Sequence, residues 1–311
     1  MAKKKKIKIV ALAGGVGGAK LAHGLAMVVP RKDLTVIVNT GDDFEHFGLS
    51  ISPDLDTVCY TLAGLANPET GWGRVDESWH AFEQIEKLGG PSWFRLGDKD
   101  LATHLERTRL LQSGEPLHKI TAGFCGAWGI KARVLPMTNQ RVATIVDTDE
   151  GELDFQEYFV ARRCQPKVKG FRFEGIENAA PAPGMLKAIQ AADAVVICPS
   201  NPWVSIDPIL NIPGVRAAVA SRKVIAVSPI IGGEALKGPA AKMYRELGIR
   251  PSVEAVSKHY GDLLDGFVID ELDHELTKFL PHKILVTDTI MVDSAARHRL
   301  AEELIPFIEK M

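Results

Sequence analysis

Continuous apolar runs rich in Val and Ile punctuate the chain at Ile7–Ala13, Leu34–Asn39, Ala132–Pro136, Ala143–Asp147, Ala194–Cys198, Lys223–Val227, Gly266–Ile269 and Lys283–Val286. Runs without polar alternation are what strands buried on both faces look like. Between many of them lie stretches of helical periodicity: Leu21–Val29, Met185–Ala192, Gly214–Ala220, Ala240–Leu247, Ser257–Leu264 and Ser294–Ile308. Strands alternating with helices predict βαβ units in a Rossmann-like, doubly wound, mainly parallel α/β sheet. In such sheets ligands bind beyond the carboxyl ends of the strands.

Two regions break the rhythm. From Thr57 to Gly123 no strand pattern occurs, and the segment reads as a helical insertion carrying Trp72, Trp79, Phe82, Trp93 and Phe94. From Arg133 to Phe173, short runs at Arg141–Asp147, Asp154–Val160 and Lys167–Phe173 predict a small antiparallel excursion. No repeat or long linker divides the chain, which reads as one compound domain over residues 1–311, with the insertion at about 57–123.

Composition narrows the class. Hydrophobic residues make up 46% and charged residues 24% of 311, and the net charge is −2. That is an ordinary globular balance, with no basic excess to suggest nucleic acid or a membrane surface as partner. The short Lys3–Lys6 run reads as a solvated start. No apolar stretch approaches a membrane span and no cleavable leader follows the lysines, so the expected location is the cytoplasm. The four cysteines, Cys59, Cys125, Cys164 and Cys198, lie far apart without metal or disulfide spacing, and Cys198 reads as a small buried hydrophobe.

The chemistry begins at Gly14-Gly15-Val16-Gly17-Gly18-Ala19-Lys20, between the first strand and the first helix. Glycines let backbone approach a ligand closely, and a helix start offers free N–H groups and a positive dipole end to a phosphate. The run matches neither standard fingerprint: Lys20 is followed by Leu21, not Ser or Thr, and it occupies the third-glycine position of G-x-G-x-x-G. The alternative is a turn that merely lets helix and strand pack closely.

Other polar groups collect at strand ends. Asn39-Thr40-Gly41-Asp42-Asp43 follows the second strand, and Ser52-Pro53-Asp54-Leu55-Asp56-Thr57 follows soon after. In an extended loop Asp54 and Asp56 point to opposite sides, so one faces a site while Asp56 is placed to cap a helix through Thr57–Leu65. Leu96-Gly97-Asp98-Lys99-Asp100, with His104 beyond, reads either as a metal or phosphate group or as a solvated turn with a cap. Pro199-Ser200-Asn201-Pro202 and Ser228-Pro229-Ile230-Ile231-Gly232-Gly233 end two successive strands, with Lys237 and Lys242 near. Lys242 either reaches a phosphate or is an exposed helix lysine. The chain has no G-x-S-x-G or HExxH motif, and its histidines do not pair at ligand spacing. Carboxylates, backbone loops and lysines fit phosphoryl transfer assisted by Mg²⁺.

Taken in order, Gly14–Lys20, Val38–Asp43, Ile51–Val58, Leu96–Asp100, Gly129–Ala132, Pro199–Pro202 and Val227–Gly232 resemble the phospholactate or phosphoenolpyruvate transferases of coenzyme F420 biosynthesis, the CofD or FbiA family. The resemblance covers nearly the whole chain. It implies that a guanylyl-diphospho donor carrying lactate or enolpyruvate is attacked by a ribityl hydroxyl of the deazaflavin Fo. GMP leaves, and Mg²⁺ assists. It places Asp54 and Asp56 at the reaction, and Asp56, Thr57, Lys99 and His104 at Fo. Gly15, Gly17, Gly18, Lys20, Ser200, Asn201, Ser228 and Gly232 fall on the guanosine diphosphate side, and Asp43, Asp54 and Asp56 near Mg²⁺. Many relatives carry Arg where this chain has Lys99, which keeps the charge but loses the planar fork. The resemblance also implies a homodimer supplied with donor by a guanylyltransferase.

A nucleotide-sugar-binding regulator of related fold, without group transfer, is the alternative. The Ser52–Thr57 and Leu96–Asp100 pair separates it from the transferases. A nicotinamide oxidoreductase fits less well, for want of the third glycine and of a general-acid Tyr or His motif.

Overall fold

The computed structural model describes residues 7–311, so the Lys3–Lys6 run lies outside the described residues. Seven strands form one sheet: β1 (Ile9–Ala13), β2 (Leu34–Val38), β3 (Arg133–Pro136), β4 (Ala194–Ile197), β5 (Lys223–Val227), β6 (Gly266–Ile269) and β7 (Lys283–Val286). Their order is β7-β6-β5-β4-β1-β2-β3, and every pairing is parallel. In β1, an interior strand, Ile9 sits opposite both Leu34 and Ala194. All five residues of β1 are buried, as their unbroken apolar run requires.

Alternate residues feed two cores. Val10 and Leu12 pack with Met185, Ile189, Val215 and Val253 on one face. Ile9, Ala11 and Ala13 pack on the other with α1 (Gly15–Val28), α2 (Pro53–Ala63), α4 (Leu117–Ala127) and α5 (Ser294–Lys310). Between α2 and α4 runs α3 (Asp98–Gln112), the longest helix of the insertion.

The structure corrects several local expectations. The glycine run is not a loop before a helix at Leu21. It forms the first turns of α1, starting at Gly15, whose φ of 62° suits glycine. Low glycine propensity is overridden by packing that tolerates no side chain. Likewise Pro53 takes the first position of α2, where its fixed φ is preorganised. Asp54 and Asp56 therefore lie inside the helix, and Asp56 is not its cap. In the antiparallel excursion, Ala143–Thr148 pairs with Gly151–Asp154 and Val168–Glu174. The run Asp154–Val160 is not a strand beyond its first residue: Glu157–Ala161 forms a π-helical turn that buries Tyr158 beside Phe155. Three-residue spacing of those rings is helical, not alternating. A hairpin of Phe44–His46 and Leu49–Ile51, turning through Phe47 and Gly48 at positive φ, is absent from the sequence expectation.

Candidate active site

At the sheet's switch point β1 and β4 are neighbours whose chains leave in opposite directions, opening a crevice at their carboxyl ends. Ser200 Oγ clamps the two ends, accepting from Gly14 N at 3.1 Å and donating to Gly14 O at 2.8 Å. The glycines are needed here for contact. A Cβ on Gly14 would lie 2.5 Å from Asp54 Oδ2, one on Gly18 2.5 Å from Ser200 Oγ, and one on Gly17 would strike the Pro199 carbonyl. Close packing thus accounts for three of the glycines whatever ligand binds.

The crevice opens into a cavity of about 750 Å³. Ten of the expected site residues line it: Gly15, Gly17, Lys20, Asp54, Asp56, Thr57, His104, Ser200, Asn201 and Ser228. The hydroxyl and amide groups among them are partly engaged already. Asn201 accepts from Trp203 N, capping a π-helical turn, and Ser228 Oγ accepts from Ile230 N. Gly18, Asp43, Lys99 and Gly232 lie outside the lining. Lys99 is exposed, its amine on the Val75 carbonyl at 3.2 Å, whereas Asp100, one residue on, faces the cavity. Lys242 pairs with Glu246 and does not line it.

One wall carries buried carboxylates. Asp54 accepts from Gly15 N at 2.7 Å and from Asn39 Nδ2 at 2.9 Å, placing its charge at the positive end of α1. Burial nevertheless raises its carboxyl to about 6, against the pull of Asn39 and Gly15. Asp42 is 5% exposed, lines the cavity and has no partner for Oδ1. Burial first, and the charge of Asp54 second, push its carboxyl well above the usual range. Asp43 holds Ser52 Oγ at 2.7 Å but leaves Oδ1 unpartnered, and burial raises it too.

A second group is built around an internal ion pair. Arg107, 1% exposed, donates from both terminal nitrogens to Asp56, with the NH1 bond at 3.0 Å. His104 lies between carboxylates, Nδ1 3.7 Å from Asp56 and Nε2 3.4 Å from Asp100. Tyr60 OH donates to Asp100 at 2.6 Å. Burial opposes ionisation of Asp100, but His104 and the Tyr60 hydroxyl outweigh it and hold its carboxyl below the usual value.

The sequence does not single out Tyr60 or Arg107, and it offers Asp42 and Asp100 only within the polar groups Asn39–Asp43 and Leu96–Asp100, without assigning either a role of its own. A signal existed for two of them: Asp100, His104 and Arg107 fall at i, i+4 and i+7, one face of α3.

The remaining walls are aromatic and cationic. Trp72, Trp93, Phe94, Phe155 and Phe159 line the cavity, the last two stacked with centroids 5.5 Å apart. The hairpin of Ile230–Ile231 and Glu234–Ala235, turning on Gly232 and Gly233 at positive φ, leads Lys237 to the cavity beside Lys20.

Three carboxylates expected near a metal do not converge. Among the described residues, the group of His, Cys, Asp or Glu whose ligand atoms fall within 4.8 Å of one another is Asp56, Asp100 and His104. Both oxygens of Asp56 are already engaged by Arg107 there. Asp42 with Asp54 fits a hard cation better: the two acids repel, the donors on Asp54 are a neutral backbone N–H and an amide rather than a guanidinium, and Asp42 leaves one buried oxygen without a partner.

Residues 9–308 match the family model described as 2-phospho-L-lactate transferase CofD. A phosphoenolpyruvate transferase of Streptomyces coelicolor is 42% identical, covering 98% of this chain and 99% of the relative. One of Thermobifida fusca is 47% identical over 86% of this chain and 87% of its own. A 2-phospho-L-lactate transferase of Methanopyrus kandleri is 42% identical over 98% and 99%. The crystal structure of a UPF0052-family protein from Bacillus halodurans superposes with a TM-score of 0.65 at 16% identity, covering 97% of this chain and all of that one, and so shares the fold. Among the described residues no helix is long and apolar enough to cross a membrane. By the family match and these relatives, the chain belongs to the CofD family of 2-phospho-L-lactate transferases.

Proposed function

We propose that the protein moves a phospholactyl or phosphoenolpyruvyl group from a guanylyl-diphospho donor to the ribityl hydroxyl of Fo and releases GMP. The observation that carries this reading is the division of one cavity into carboxylate, aromatic and cationic walls at the sheet's switch point. A tricyclic acceptor suits the aromatic wall. Asp42 and Asp54 are the residues that hold Mg²⁺ in this reading, and the ion supplies charge neutralisation on the diphosphate.

Asp56 is fixed by the Arg107 fork and presents a rigid acceptor to the cavity. It orients the attacking hydroxyl and takes its proton. His104 and Asp100 hold the acceptor's polar edge. Phosphoryl transfer asks mostly for such positioning and charge placement. The reading extends to a cytoplasmic homodimer served by a guanylyltransferase.

Phosphoenolpyruvate transferases stand at 42% and 47% identity and a phospholactate transferase at 42%, a difference too small to assign the donor. Incubating the protein with Fo, Mg²⁺ and each donor, the glycerate form included, and reading products by mass spectrometry decides between them. Fo extended by one phospho-acid, with equimolar GMP, is the expected result. Tight nucleotide-sugar binding with no Fo product for any donor would make the protein a regulator instead.

A further inference from the structure

We propose that residues 67–74 and 236–239 form a strap across the cavity mouth, latched by Lys237 on the Thr70 carbonyl, that closes over the bound acceptor and keeps water from attacking in its place. The inference rests on the transfer reading above and adds how the site chooses between a ribityl hydroxyl and water.

Residues 67–74 lie between α2 and α3, and residues 236–239 join the Ile230–Ala235 hairpin to the helix Ala240–Glu246. Thr70, Trp72 and Gly73 of the first segment line the cavity, as do Leu236 and Lys237 of the second. Trp72 is nevertheless 50% exposed and Leu236 61%, which puts both segments at the cavity's rim. Lys237 Nζ bridges them, donating to Thr70 O at 2.8 Å and to Glu69 O at 3.5 Å. Among the described residues no other hydrogen bond joins the two segments.

The first segment is held together internally. Asn67 N donates to Gly73 O at 3.1 Å, Gly71 N to Asn67 O at 2.9 Å and Thr70 Oγ1 to Trp72 O at 2.6 Å. It therefore moves as a body. It is seated on α1 through Gly71, whose φ is 80° and where a Cβ would lie 2.6 Å from Val16 Cγ1.

An exposed ammonium on neutral carbonyls exchanges water for amide oxygen at little net gain, so the latch opens readily. Trp72 and Leu236 flank it, large apolar side chains left in water until an apolar ring lies beneath them. Closing on a tricyclic acceptor buries them, so the acceptor itself favours the closed state. The donor's diphosphate and phospho-acid offer them no such surface.

Transfer and hydrolysis share their bonds. An oxygen, of Fo or of water, bonds to the phosphorus bearing the phospho-acid. The bond from that phosphorus to the bridging oxygen breaks, and its electron pair leaves with GMP. The attacker's proton passes to Asp56. With water as attacker the products are the free phospho-acid and GMP. The two attackers are chemically alike, so the choice between them rests on access, which closure controls.

The test counts GMP formed per Fo product by mass spectrometry, in the Mg²⁺-loaded full-length protein with Fo and whichever donor the wild type turns over. The wild type should release about one GMP per product, as a site closed to water does. Lys237→Met removes the latch, and Gly71→Ala lifts the first segment off Val16 without touching a charge. Each should raise that ratio by roughly fivefold or more. Lys237→Arg, which still donates to the Thr70 carbonyl, should restore it. Misfolding lowers GMP and Fo product together and leaves the ratio unmoved, so the ratio reads closure rather than stability. A ratio near the wild-type value in both variants overturns the strap. So does a rise in Lys237→Met alone, because the lysine would then act by its charge and not by closure. A wild type that makes no Fo product with any donor overturns the transfer reading, and the strap's role with it.

Discussion

Asp54 and Asp56 stand two residues apart on α2, both buried, in opposite electrostatic surroundings. Asp56 meets a guanidinium fork, so its charge is compensated within the fold. Asp54 meets only an amide, an Asn and a second carboxylate, Asp42, and among the described residues no cation pairs with it. A charge compensated within the fold is positional, and its purpose is rigidity. A charge left uncompensated is stable only if something else arrives. The difference separates a corner that fixes the acceptor from a corner that waits for a cation.

The largest break in this contrast comes from removing Arg107. Arg107→Met leaves Asp56 buried without its partner and should destabilise the fold by about 3–5 kcal/mol, read by urea denaturation. Removing both charges, Asp56→Asn with Arg107→Met, should recover a large part of that loss. If the single and double variants melt alike, the corner is not the self-neutralised pair described here.

At Asp54 the sign reverses. Its folded value of about 6 lies above the ordinary 3.8, so the folded state binds the proton more tightly than the unfolded chain does. The penalty for its charge is therefore full above pH 6 and fades as pH falls from about 6 to about 4. A shift of roughly two units corresponds to about 3 kcal/mol at most. In metal-free protein, the wild type should gain stability relative to Asp54→Asn as pH drops from 7 to 4. A constant difference between the two across that range would remove Asp54 from the uncompensated corner.

Much of this was legible in the sequence, for physical reasons that also mark where it stopped. Strands such as Ile9–Ala13 and Ala194–Ile197 declare themselves because a sheet covered on both faces admits no polar alternation. Pro199–Pro202 and Gly14–Lys20 were visible as strand-end chemistry, since parallel sheets put their crevices there. Arg107 was not visible, because a charged residue inside a helix ordinarily faces water, and only the tertiary placement of Asp56 makes its burial tolerable. Asp42 was passed over for Asp43, two adjacent acids that only the turn geometry distinguishes: one lines the cavity and the other bonds Ser52.

Next in size is the metal test. Asp42→Asn should lower kcat by about 100-fold and abolish the Mg²⁺-dependent rise in melting temperature, while Asp43→Asn should retain that rise. An Asp43 variant that alone loses the Mg²⁺ effect would shift the waiting corner away from the cavity.

The smallest expected effect discriminates neighbours on α3. Successive helical residues point about 100° apart, and of Lys99 and Asp100 only Asp100 lines the cavity. The family resemblance favours Lys99, whereas the structure leaves its amine exposed on the Val75 carbonyl and turns Asp100, held by Tyr60 and His104, into the cavity. Lys99→Met should therefore change the Kd for Fo by less than about twofold, as removal of an exposed charge does. Asp100→Asn should weaken Fo by roughly tenfold, in line with loss of a charged hydrogen bond. Fluorescence titration of Fo reads both. If the order is inverted, the helix rotates on ligand binding so that Lys99 swings inward, and the Asp56 corner is less rigid than its ion pair suggests.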